Sequence, residues 1–174
     1  MQQVMLVCRP GFEAEAGQEV TDQAALKGVF GYFQPVRNSG LVRFTIGSEE
    51  SPEELMGRLP LDELVFVRDW FVILGDCALP VQDRVGAVVG FLRDQDWKGS
   101  GCARVEVRLP ENNEDRDLGN FSRKWVAPLS KGLRGAGLLQ ETADAKTRKR
   151  LEILLADFGM AVIGYSLAGK RSPF

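Results

Sequence analysis

The residues with the clearest chemical potential are basic. Arg123, Lys124, Lys131 and Arg134 form one series, and Lys146, Arg148, Lys149 and Arg150 form a denser one. Lysine and arginine grouped in this way contact the phosphates of a nucleic-acid backbone, a contact that weakens steeply with salt and does not read bases. Arg104 and Arg108 alternate with Glu106, so an internal ion-pair row competes with phosphate contact, and only Arg108, at the strand end, is placed to reach out. A solvated helix face or loop displays the same residue types. The elements that carry these side chains therefore decide between the two readings.

Charge along the chain supports the first reading. The sequence holds 22 Lys and Arg against 24 Asp and Glu, a net of −2, but residues 1–100 hold 9 against 15 and residues 101–174 hold 13 against 9. A net of −6 thus precedes a net of +4, and a basic second half is the footprint of a surface that meets phosphate. Other chemistries lack their residues. There is no histidine, so the commonest general base and metal ligand is missing, and Cys8, Cys77 and Cys102 make no C-x-x-C pair. Neither a Walker loop nor a G-x-G-x-x-G turn occurs. Glu13, Glu15, Glu19, Glu49, Glu50, Glu53 and Glu54 read as surface charges with no partner for acid and base work. No catalytic, cofactor or metal residue is assigned. An odd cysteine count fits a reduced cytoplasm, and no run of eighteen apolar residues is present to span a membrane.

At 174 residues and 44% apolar the chain can bury a real core. Residues 4–8 read as a strand, and Phe12, Ala16, Val20 and Ala24 recur every four residues as on a helix. Residues 29–37 and 41–46 form a hairpin around Asn38, Ser39 and Gly40. Ser51, Pro52 and Glu54 start a short helix that stops near Pro60, and residues 64–74 (LVFVRDWFVIL) make the next strand, with Arg68 and Asp69 facing solvent or bulging. The order β-α-β-β-α-β over residues 1–76 is that of a ferredoxin-like split βαβ sheet. Residues 75–80 read as a junction.

Beyond it, Val85, Val88, Val89 and Leu92 give a helix, residues 103–109 a half-buried strand, and Leu118, Phe121, Trp125 and Leu129 a second helix, kinked or restarted at Pro128. Residues 151–156 and 160–167 close the chain as a hairpin. The fold class is therefore α/β (α+β), a ferredoxin-like domain followed by a small α-β-α-β-β domain over residues 77–170.

Several short motifs stand in a telling order: Cys8-Arg9-Pro10-Gly11-Phe12-Glu13, Phe66-Val67-Arg68-Asp69-Trp70-Phe71-Val72, Arg123-Lys124, Val126-Ala127-Pro128-Leu129, Gly164-Tyr165-Ser166 and Ser172-Pro173-Phe174. With them the chain resembles the amino-terminal half of the ribosomal RNA large-subunit methyltransferase M family. The resemblance implies a ferredoxin-like domain and a THUMP domain, an RNA-binding module. It also implies large-subunit ribosomal RNA as partner, S-adenosylmethionine as the cofactor of the parent protein, and methylation of a cytidine ribose 2′-hydroxyl. Members continue into a methyltransferase domain. Residues 171–174 would begin the connection to it, so no catalytic or cofactor position is carried over, and a monomeric, cytoplasmic fragment without a membrane is expected. The competing reading is a stand-alone ferredoxin-like ligand-sensing or protein-docking module.

On the helix beginning at Leu118, Arg123, Lys124, Lys131 and Arg134 lie outside the buried stripe, free to form a cationic face. Gly132-Leu133-Arg134-Gly135 matches the backbone clamp of KH domains, but without the KH order of elements a glycine near a helix end reads as a left-handed cap. Trp70 and Trp125 read as core, and Trp97, among Asp94, Asp96 and Lys98, as partly exposed. Arg9 either meets a phosphate or braces its Pro-Gly turn against Glu13, the reading favoured here.

Overall fold

A computed structural model describes residues 2–97, 102–140 and 149–167. Contacts divide the chain into two units: the first change falls between Ile73 and Leu74, and residues 110–113 belong with the first unit.

The first unit contains β1 (Gln2–Val7), α1 (Glu13–Leu26), β2 (Gly31–Val36), β3 (Leu41–Ile46), α2 (Pro52–Arg58) and the start of β4 (Asp69–Ala78). β1 lies antiparallel between β3 and β4, and β2 is antiparallel to β3. This is the ferredoxin-like order read from the sequence. Register places Val4 opposite Phe44 and Val72, and Leu6 opposite Val42 and Trp70. All six are buried. α1 packs on β2 and β3 so closely that a Cβ on Gly17 would sit 2.1 Å from Phe33. Ser51 caps α2 by accepting the Glu54 amide at 3.1 Å, with Pro52 opening the helix.

Two glutamates differ from their surface reading. Glu13 is buried, and its carboxylate accepts the amides of Gly11 (2.6 Å), Asn38 (2.8 Å) and Gly40 (3.3 Å). It ties the start of α1 to the β2–β3 turn, where Asn38 and Gly40 both adopt positive φ. That is the brace assigned to Arg9, which lies exposed. Glu19 accepts the amides of Val65, Phe66 and Val67 at 2.6 to 3.3 Å. Backbone donors held by a carboxylate cannot join a ladder. The strand expected over residues 64–74 accordingly begins only at Asp69 and runs to Ala78. Asp69 is buried and accepts the Trp70 amide, while Arg68 pairs with Glu111 at 3.8 Å.

β4 runs on past Ile73 to Ala78. Residues 75–78 are therefore strand, and the junction expected at 75–80 is displaced into β4 itself.

The second unit contains the end of β4, α3 (Arg84–Asp94), β5 (Cys102–Arg108), α4 (Arg116–Gly135), β6 (Lys149–Asp157) and β7 (Met160–Leu167). β5 and β6 are parallel with α4 as their crossover, and β6 and β7 form the closing hairpin. Val88 and Leu92 of α3, Leu118, Trp125, Leu129 and Leu133 of α4, and Leu151, Ile153, Ala161 and Ile163 of the sheet share one core. α4 continues through exposed Pro128 as one helix, so of the two alternatives there, a kink or a restart, the restart does not occur. The G-x-x-G glycines also differ from their reading. A Cβ on Gly132 would meet Val85 of α3 at 2.5 Å, and the left-handed residue after the helix is Gly137 rather than Gly135. Gly132 permits close helix packing.

Candidate nucleic-acid interface

α4 displays the basic series. Asp115 caps it, accepting the amides of Asp117 (2.9 Å) and Leu118 (3.1 Å), so the helix starts at Arg116, two residues before the start read from apolar spacing. Leu118, Ser122, Trp125, Leu129 and Leu133 face the core. Rotation of about 100° per residue then puts Arg116, Asn120, Arg123, Lys124, Lys131 and Arg134 on the far side. All six are exposed. The stripe from Arg116 to Arg134 is about 27 Å long at 1.5 Å per residue. Among the described residues none of its five cations forms an ion pair. Arg123 donates to the Asn120 side chain, and Arg134 reaches the Ala103 carbonyl at 3.4 Å. Arg116 was missed in the sequence, although it lies seven residues before Arg123 and thus two turns away on the same face.

The denser cluster is divided. Lys146 and Arg148 lie outside the described residues. Lys149 and Arg150 belong to β6 rather than to a loop, because they pair with Leu167 and Ser166 of β7. The Lys149 ammonium sits 4.9 Å over the Tyr165 ring. Register sets Arg104 opposite Arg150 and Glu106 opposite Glu152, and such like pairs repel. The side chains resolve this diagonally. Arg150 Nε lies 3.1 Å from Glu106 and 3.2 Å from Glu152, and Arg108 lies 3.9 Å from Glu152. Arg108, the side chain expected to reach outward, instead turns to a fully buried carboxylate, which also accepts the Ser166 hydroxyl at 2.8 Å.

Burial pushes the Glu152 carboxyl above its ordinary value of 4.5, Arg108 opposes that rise and Glu106 adds to it. An acid whose folded value exceeds its unfolded one contributes stability below the unfolded value and loses it as pH rises through the folded one. Glu152→Gln, which resembles the protonated form, should therefore match the wild type in acid and be the more stable of the two at neutral pH. Urea midpoints across a pH series check this. A variant less stable at neutral pH would mean that attraction to Arg108 and Arg150 outweighs desolvation.

The tryptophans serve structure. Trp70 and Trp125 are buried, the latter stacked on Phe121 at 5.3 Å, and Trp97 is half-buried with its indole N–H donated to the Leu138 carbonyl at 3.0 Å. All three cysteines are buried, and burial, with Glu13 second, pushes the Cys8 thiol up to about 12, which leaves it without nucleophilic thiolate. Among the described residues no His, Cys, Asp and Glu cluster is placed to hold a metal ion, and no helix is long and apolar enough to cross a membrane.

Comparison with known proteins agrees with this architecture. Residues 1–71 match the RlmM ferredoxin-like domain, and residues 83–167 match ribosomal RNA large subunit methyltransferase M, N-terminal. The ribosomal RNA large subunit methyltransferase M of Marinobacter nauticus is 66% identical over the whole chain, which covers 49% of that relative. The Salmonella agona protein of the same name is 39% identical, with 47% of it covered. The chain thus spans about half the length of the curated relatives it matches. Among solved structures, TrmN from Thermus thermophilus shares the fold with a TM-score of 0.60 at 18% identity, over 98% of this chain and 47% of that one. A possible methylase from Clostridium difficile aligns with a TM-score of 0.52 at 10% identity, over 98% and 42%. The chain belongs to the ribosomal RNA large subunit methyltransferase M family, in which it corresponds to the ferredoxin-like and amino-terminal regions.

Proposed function

We propose that this chain is the RNA-binding amino-terminal region of an S-adenosylmethionine-dependent methyltransferase that modifies a cytidine ribose 2′-hydroxyl of large-subunit ribosomal RNA. In this reading residues 1–76 form a ferredoxin-like domain, residues 77–170 a THUMP-like RNA-binding domain, and residues 171–174 begin the connection to a carboxy-terminal methyltransferase domain. The parent protein acts as a cytoplasmic monomer. The observation that carries the RNA reading is the stripe Arg116, Arg123, Lys124, Lys131 and Arg134, exposed on one helix face without ion-pair partners among the described residues. Lys149 and Arg150, with Lys146 and Arg148, extend the phosphate-contacting set; Arg108 supports it through Glu152.

The test is filter binding of the 174-residue chain to a fragment of large-subunit ribosomal RNA at several salt concentrations. Log affinity should fall against log salt with a slope of about four or steeper, the five contacts of the α4 stripe alone giving about 0.7 to 0.9 each. A slope near zero would remove the reading. The same chain should neither take up S-adenosylmethionine in calorimetric titration nor methylate RNA. Saturable cofactor binding at micromolar concentration would mean that the cofactor site has been misplaced.

A protein-docking role is the second reading, drawn from apolar side chains exposed in the first unit, Leu26, Phe30, Tyr32 and Val65 among them. It gains if RNA binding proves insensitive to salt.

A further inference from the structure

We infer that the second unit holds single-stranded RNA, with Phe158 as a base-stacking platform and Arg84 as the group that meets the adjoining phosphate; the inference rests on the RNA reading above. Phe158 occupies the turn between β6 and β7 and is 36% exposed. An exposed phenylalanine on a loose loop would carry little meaning, but this turn is fixed from three directions. Arg84 Nε donates to the Phe158 carbonyl at 3.0 Å, Asp157 accepts the Gly159 amide at 2.7 Å, and the Gly159 carbonyl accepts the Leu79 amide at 2.9 Å.

The ring is supported from behind. Phe121 lies 5.6 Å from Phe158 and 5.3 Å from Trp125, and the Arg84 guanidinium stands 4.9 Å over the Phe121 ring. With Nε engaged, Arg84 keeps its two terminal nitrogens as donors. The nearby carboxylates of Asp83 and Asp157 are turned to the amides of Gly86 and Gly159. They are occupied within their own turns.

Position relative to the cations selects the occupant. Phe121 and Lys124 are three residues apart on α4, hence neighbours on its surface, and Lys131 lies two turns beyond Lys124. A strand that lays a base on Phe158 therefore passes its phosphates toward Arg84 and the basic stripe. Stacking platforms beside a cationic track suit unpaired bases, whose faces are open, and not duplex RNA, whose bases already stack on one another.

The experiment is fluorescence anisotropy of the 174-residue chain with a labelled single-stranded RNA oligonucleotide and with a blunt RNA duplex of the same length. The single strand should bind more tightly. Phe158→Ala should weaken it about tenfold or more without changing the salt slope, while Phe158→Trp restores it. Arg84→Gln should weaken it and lower the slope by about 0.7. Because Arg84 also holds the turn, Arg84→Lys provides the control: it should keep the slope while losing the bidentate fit. Equal binding of duplex and single strand, or an unchanged affinity for Phe158→Ala, would overturn the stacking site while leaving the RNA reading standing. Absence of salt-dependent binding to either RNA would remove both.

Discussion

Replacing Arg123, Lys124, Lys131 and Arg134 together with glutamate is expected to weaken binding to a large-subunit ribosomal RNA fragment by about two orders of magnitude or more near 0.1 M salt. The slope of log affinity against log salt should flatten by roughly three to four, because each lost phosphate contact forgoes the release of about 0.7 to 0.9 counterion. All four side chains are exposed on the face of α4 opposite its buried stripe, so the core beneath is untouched. Two of the new acids fall near the helix C-terminus, where each costs roughly 0.3–1 kcal/mol against the helix dipole. That is small beside a domain stability of about 5–15 kcal/mol. Glutamine at the same four positions separates lost attraction from new repulsion: it should flatten the slope similarly with a smaller fall in affinity. An unchanged slope in both variants would move the RNA face to Lys146, Arg148, Lys149 and Arg150.

The largest stability effect from one polar residue is expected at Glu13. Its carboxylate serves three amides from two separate segments, and the residue is 5% exposed. Glu13→Ala leaves the Gly40 donor buried and frees the β2–β3 turn from α1. The cost should be about 3 kcal/mol, summing charge-assisted bonds of roughly 1.5–3 kcal/mol each with partial rescue by water at exposed Gly11 and Asn38. Glu13→Gln retains an acceptor and should cost less than half as much. Urea denaturation of the two variants checks the ranking. Equal losses would mean that charge rather than geometry holds the turn.

These two sites also show what was legible in the sequence. Apolar spacing located the helices and most strands, and Ser51 with Glu54 marked a cap because capping is local. Glu13 and Glu19 were read as surface charges because their partners lie up to 48 residues away, and no local pattern signals a carboxylate bound to distant amides. The same cause displaced β4: LVFVRDWFVIL is apolar enough to be strand throughout, yet Glu19 claims the amides of its first part. On α4 the stripe was visible, but starting the helix at Leu118 instead of at the Asp115 cap cost Arg116. The carboxylate partners of Arg108 and Arg150 are hidden from the sequence for a third reason. Their surroundings depend on the β5–β6 register, which sets Glu106 opposite Glu152 and leaves each arginine to answer a carboxylate diagonally.

Lysine footprinting reads out whether the far face of α4 lies against RNA phosphates. Brief acetylation of the 174-residue chain with and without a saturating large-subunit ribosomal RNA fragment, read by peptide mass spectrometry, reports each ammonium separately. Lys124 and Lys131 should be protected several-fold by RNA, and the protection should fade as salt is raised. Lys27, exposed in the first unit, serves as the reference and should be unaffected. Acetylation of Lys124 and Lys131 that is the same with and without RNA, under conditions where the RNA is bound, would mean that the RNA lies on another surface.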